Sequence, residues 1–214
     1  LRGVMLDKVV SAEQVTATDA KLAALERGAG LPANSLQLIL VIGTAGAVWH
    51  VRAILKASAR ASQIVLDEQA LASDLKITPE RELDPFEYAR GRIVVESIAA
   101  KVMPVGIAYP LSVFPQGATD VVVHTHAVKG KNLGMKGVLC TDPSWIAPVN
   151  RAFTPTPELV NYNKRVREAF AAGVAAGTAA VPLDGRMIDV PVDEWAIVVL
   201  ETAEACAEIG RAHV

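Results

Sequence analysis

His124 and His126 stand two residues apart. On a strand, positions i and i+2 share a face, so the two imidazoles could meet one metal ion. No third ligand stands at a defined spacing from them, and a surface or loop pair is the plainer reading. His50 follows Trp49 inside an expected helix and reads as a packing residue. Gly43-Thr44-Ala45-Gly46 looks like a glycine-rich phosphate turn between a strand and a helix. It lacks the six-residue dinucleotide fingerprint and the P-loop lysine. A helix N-terminus there would still favour a carboxylate or phosphate through its dipole. Asp184 and Gly185 are turn residues. Asp189 stands just before a helix expected to start near Pro191, where an acidic side chain serves as a cap.

These residues hang on an alternation of short apolar runs and helical periodicity. Val4–Leu6, Leu36–Ile42, Ser62–Leu66, Pro104–Ala108 and Gly137–Cys140 read as five strands. Helices are expected over Ala12–Glu26 with Ser11 as cap, Ala47–Ala57, Phe86–Ala100 and Ile146–Ala152. Asp120–Ala127 reads as a helix or an irregular segment. A loop with Pro79 and Pro85 precedes the third helix. Strand–helix units of this length imply a parallel sheet with right-handed crossovers, doubly wound or a barrel. After about residue 152 the rhythm changes. A helix over Pro157–Ala172, an Ala/Gly-rich stretch Ala171–Ala180 that reads as a flexible arm, and a last helix Val192–Ile209 make up 153–214.

Hydrophobic residues make up 51% of the 214 residues and charged residues 21%, enough for a sizeable core. The net charge of −2, without clustered Lys and Arg, argues against nucleic acid or an anionic membrane as partner. The longest apolar stretch, Leu36–Val48, is too short to span a bilayer. Cys140 and Cys206 are far apart with no CxxC spacing, and read as the reduced thiols of a cytoplasmic protein. The start, Leu1-Arg2-Gly3-Val4, has the pattern of neither a signal peptide nor a transit sequence and lacks an initiator Met. A chain that is processed, cut or partly present is therefore expected.

Six segments, in order, are similar to those of one family. Met5-Leu6-Asp7-Lys8-Val9-Val10-Ser11-Ala12-Glu13-Gln14-Val15 resembles "LPKVESAEDV". Val41-Ile42-Gly43-Thr44-Ala45-Gly46-Ala47-Val48 resembles "IIETPRGV". Leu71-Ala72-Ser73-Asp74-Leu75 resembles the end of "GAEDLAADLG", and Tyr88-Ala89-Arg90-Gly91-Arg92-Ile93-Val94 resembles "YARSRLV". Asp142-Pro143-Ser144-Trp145-Ile146-Ala147-Pro148-Val149-Asn150 resembles "HPSQIAPVN". Phe153-Thr154-Pro155-Thr156-Pro157-Glu158 with Asp184-Gly185-Arg186-Met187-Ile188-Asp189-Val190-Pro191 resembles "FTPTPEE" with "DGKMIDAP". The family is that of citrate lyase β-subunit-like proteins with malyl-CoA and citramalyl-CoA lyases, in the aldolase and citrate lyase superfamily.

The resemblance implies a (β/α)8 TIM barrel of the phosphoenolpyruvate/pyruvate-binding type, here from its fourth strand onward, with a C-terminal helical arm. A barrel short of three strands exposes two sheet edges, so a longer parent polypeptide or a completing partner is expected. The implied reaction is a carbon–carbon lyase step on a CoA thioester of a hydroxy or keto acid. Mg²⁺ would serve as Lewis acid on carboxylate ligands. The implied assembly is a homo- or hetero-oligomer. The family's carboxylate positions fall on Val10, Gly43, and Gln69 with Ala70, none of which is an acid. Asp67 and Glu68 lie two residues upstream of the last pair. A loop slip would bring Glu68, with Asp67, toward a metal, but solvated loop charges are the plainer reading. Gly43, Thr44 and Ala45 match the family's substrate loop. Asp189 matches an acid or base donated to a neighbouring subunit, and helix cap stands equally open. The lost acids make a non-catalytic paralogue, partnering an active lyase subunit, the alternative to a lyase.

Overall fold

Aliphatic runs too short for stable helices make the strands, and the computed structural model, which describes residues 2–212, places four of them in one parallel sheet. The chain divides into two compact units, Leu1–Phe153 and Thr154–Val214. In the first, β1 (Gly3–Leu6) leads to α1 (Ala12–Gly28), β2 (Gln37–Ile42), α2 (Ala45–Trp49) and α3 (Val51–Lys56). Then come β3 (Ala61–Leu66), α4 (Glu68–Leu75), α5 (Glu87–Ala99) and β4 (Met103–Val105). The unit ends with α6 (Asp120–Leu133), a 3-10 turn Pro143–Trp145 and α7 (Ile146–Phe153).

The strand order is β1-β2-β3-β4, with every pairing parallel. A doubly wound sheet reverses direction at a switch point, whereas this order runs one way, as in an arc of a barrel. Leu38, Leu40, Ile42 and Ile64 share a core with Val15 and Leu22 of α1, Ile54 of α3 and Ile93 of α5. Ser11 caps α1 as expected, accepting from the Gln14 amide.

Several expectations need correction. The fifth strand is reduced to one bridge between Gly137 and Val105. Val138 and Cys140 turn away from the ladder to pack beside Val123 and Trp145. The helix expected over Ala47–Ala57 is broken at His50, which links α2 and α3. A helix, α4, fills what read as loop because Asp67 caps it. Asp120–Leu133 is helical throughout, so His124 and His126 do not share a face, since two helical steps turn about 200°.

The second unit is α8 (Pro157–Ala175), the antiparallel hairpin β5 (Val181–Leu183) and β6 (Arg186–Ile188), and α9 (Val190–Ala212). The stretch expected to be a flexible arm instead completes α8 through Ala175 and leads by a turn into β5. Asp184 and Gly185 both have positive φ, the geometry of the two-residue hairpin turn for which Asp-Gly is suited. Val166, Ile188 and Ala196 are its buried centre.

Opposite the carboxyl ends of the strands, Arg60 and Glu26 are both buried and paired twice at 2.6 Å. Glu26 also accepts from the amides of Leu36 (2.9 Å) and Asn34 (3.1 Å). Arg60 donates to the Leu36 carbonyl and to Asp19. The Arg60 guanidinium holds the Glu26 carboxyl down at about 2, against its burial. A depressed carboxyl stabilises the fold above its unfolded value of about 4.3 and loses that contribution as pH falls toward 2. Glu26→Gln is therefore expected to lower the thermal midpoint clearly at neutral pH, with a gap to wild type that narrows progressively below about pH 4. Calorimetric melts of both proteins across that range check this.

Candidate functional site

Asp7, Gly43, Asp67 and Gly106 each follow directly on a strand, so all four lie at the carboxyl ends of the sheet. This is the end at which parallel α/β folds carry ligands. A cavity of about 620 Å³ opens there. That is a size suited to a small molecule. Val41, Val65, Val105 and Trp145 line its apolar part; Asp67, Glu68, Arg90 and Ser112 line its polar part.

Glu68 begins α4 and is only 3% exposed, so it is not the solvated loop charge expected. It is held by Arg90, a buried residue of α5, whose Nε donates to Glu68 Oε1 at 2.6 Å. The Ser112 hydroxyl donates to the other carboxylate oxygen. Arg90 also donates to Asp84, which in turn accepts from the Phe86 amide. Burial pushes the Glu68 carboxyl above its ordinary range, opposed by Arg90 and Ser112. Asp67 is half-buried, and its Oδ1 accepts from the Ala70 amide at 2.9 Å as the cap of α4.

The glycine turn is satisfied from within. Thr44 Oγ1 accepts from the Ala47 amide as the cap of α2. Asp74 of α4 accepts from the Ala45 amide at 2.8 Å. Gly43 packs against the start of α4 so closely that a Cβ there would lie 2.5 Å from Ala70 Cβ and 3.2 Å from the Asp67 carbonyl oxygen. Gly43 and Ala70 are thus neighbours in space. Asp189 lies in the second unit, half-buried, and its Oδ1 accepts from the Val192 amide at 3.3 Å in the first turn of α9. Among the described residues, no group of three or more His, Cys, Asp or Glu is placed to hold a metal ion.

Arg90, Ser112 and Asp74 were not foreseen as site residues. Arg90 carried a signal: it stands in a helical apolar stripe with Phe86, Ile93 and Val94, where a charge must find a buried partner. Ser112 and Asp74 carried none beyond their types.

Residues 1–143 match the HpcH/HpaI aldolase/citrate lyase family. This chain belongs to that family. Among curated members, citrate lyase subunit beta of Haemophilus influenzae is 27% identical over 202 residues, covering 94% of this chain and 68% of its own length. The L-malyl-CoA/beta-methylmalyl-CoA lyase of Cereibacter sphaeroides is 26% identical over 218 residues, covering 94% and 67%. The chain thus spans about two-thirds of the length of these family members. In fold it is similar to a citrate lyase from Burkholderia xenovorans (TM-score 0.79, 18% identity, covering 96% of this chain and 64% of that one). It is also similar to CitE of Mycobacterium tuberculosis, solved with magnesium, acetoacetate and coenzyme A (TM-score 0.70, 22% identity, covering 95% and 68%). No helix among the described residues is long and apolar enough to cross a membrane.

Three substitutions test this corner. Gly43→Ala is expected to destabilise the fold by about 1–3 kcal/mol through overpacking. Adding Ala70→Gly should recover most of that loss, and a double-mutant cycle in urea reads the coupling. For Glu68 the sign is opposite to that of Glu26. A raised carboxyl stabilises the fold below its unfolded value and loses that contribution as pH rises through its native value. Wild type should lose stability relative to Glu68→Gln from about pH 4 upward, measured by paired urea titrations.

Proposed function

We propose that this chain is a non-catalytic member of the CoA-thioester lyase family, whose own metal corner has been closed. The contact of Gly43 with Ala70 carries the reading. These positions match the family's "IIET" and "GAED" acids, and here they touch with no room for a carboxylate on Gly43. The residues present do not make a magnesium site. Magnesium needs near-octahedral oxygen ligands, usually one or two carboxylates with waters and substrate. Glu68 is committed to Arg90 and Ser112, and Asp67 caps α4.

In this reading the fold is the family's barrel type, and the chain acts by associating with an active lyase subunit that handles the hydroxy- or keto-acyl-CoA. Gly43, Thr44 and Ala45 shape the closed corner instead of gripping substrate. Asp189 is the residue available to such a partner. One of its oxygens caps α9, and it follows a tight hairpin that presents Met187 with 71% exposure. The rival reading, a magnesium-dependent lyase acting on citryl-, malyl- or citramalyl-CoA, places the metal on Glu68 with Asp67.

Titration calorimetry with Mg²⁺ and turnover of malyl-CoA and citramalyl-CoA by this chain separate the two. The expected outcome is no metal binding and no turnover. Metal binding with turnover, abolished in Glu68→Gln, would establish the rival. Mixed with an active family member, the chain should change that enzyme's rate, and Asp189→Ala should remove the change.

A further inference from the structure

Helix α5 is apolar on two opposite faces. It packs on β3 and β4 and beside α2 and α3, with Ala89, Ile93 and Val94 buried. On the outer face Tyr88, Val95 and Ile98 are each more than half exposed, with the small residues Gly91 and Ala99 among them. At 100° per residue these five fall within an arc of about 100°, and Tyr88 to Ile98 runs about 15 Å along the helix. Trp49, the last residue of α2, is also more than half exposed and extends this face. The Arg92 guanidinium lies over its ring, 5.0 Å from the centroid. Arg92 also donates to the Trp49 carbonyl at 2.8 Å and to the Tyr88 hydroxyl at 3.2 Å. Both aromatic side chains are thus tied to one guanidinium on the surface. A helix that is apolar all round is ordinarily covered on all sides. Exposed apolar patches mark interaction sites, and Trp, Tyr and Arg are enriched there. The charge beside the patch is one-sided. Arg52 pairs with Glu96 at 2.7 Å, and Lys56 and Arg92 also act on that carboxylate. Three cations around one acid leave two positive charges over.

We propose that this face docks an amphipathic helix of a partner protein, with its apolar stripe on Tyr88, Val95 and Ile98 and its acidic flank on Arg52, Lys56 and Arg92. A length of about 15 Å matches about three helical turns, whose anchors recur at i, i+3, i+4 and i+7. Gly91 leaves room for close approach, since a Cβ there would meet nothing within 4 Å. A second copy of this chain is disfavoured as the occupant. Two-fold pairing sets the same patch against itself, and here that brings cations against cations. The proposal is independent of the metal corner and of Asp189, none of whose residues lies on this face.

Fluorescence anisotropy of a labelled synthetic helix tests it. The probe is about 18 residues long, with Leu at i, i+3, i+4 and i+7 and Glu on both flanks, and its twin carries Lys for each Glu. The 214-residue chain should bind the Glu probe at least about tenfold more tightly than the Lys twin, and added salt should narrow the gap. Val95→Asp should weaken binding of the Glu probe by about tenfold or more and leave the circular dichroism spectrum unchanged. Lys56→Glu, which keeps the apolar stripe intact, should shift the preference toward the Lys twin. Trp195→Ser, at an exposed position of the second unit, should change neither affinity. Equal affinity for the two probes, no binding of the Glu probe, or binding that survives Val95→Asp would overturn the proposal. So would loss of binding in Trp195→Ser, or a preference that Lys56→Glu leaves unmoved. A doubled mass by light scattering, lost in Val95→Asp, would assign the face to a second copy instead and overturn it too.

Discussion

Arg60 has a rigid fork of N–H donors and almost no water, and much of the first unit follows from how those donors are filled. Its partners come from the middle and end of α1 and from the turn into β2. Arg60 itself stands just before β3. A buried charge that lost its partner would be costly, so the chain cannot rearrange these three segments independently. The clamp sits at the amino ends of the strands, the end of such folds that serves stability. The carboxyl ends are left to vary.

At that end Gly43 lies tight against the start of α4. A carboxylate at Gly43 would need space that the first turn of α4 occupies. Asp67, Thr44 and Asp74 spend their acceptors on nearby amides. Arg90, Glu68 and Ser112 then form a polar wall of their own. The corner is polar, ordered and internally satisfied. Such a set of contacts holds loops in place, and it offers few free acceptors to a hard cation.

Much of this was legible in advance. Short and continuous apolar runs located the four strands of the parallel sheet but not the hairpin β5–β6, and Ser11 marked its helix start. The order of six motifs pointed to the family before any geometry was known. What failed did so for local reasons. Gly137–Cys140 has strand composition, yet only Gly137 bridges to the sheet, and Val138 and Cys140 pack against the cluster that includes Trp145. Ala171–Ala175 is low in complexity, but alanine is the best helix former, and α8 runs through it. Glu68 read as a loop charge because its partner lies twenty-two residues ahead, on another helix. The contact between Gly43 and Ala70 was invisible as a contact, although both residues stood out in the motifs.

The strand order has a kinetic meaning as well. Each strand pairs with the next along the chain, so β1 to β4 can be laid down one after another with modest loop closure. At every stage the growing sheet presents one unsatisfied parallel edge and one uncovered apolar face. Such species aggregate in proportion to how long they persist. For this chain the yield of folded material is then a race between completing the sheet and meeting another unfolded molecule.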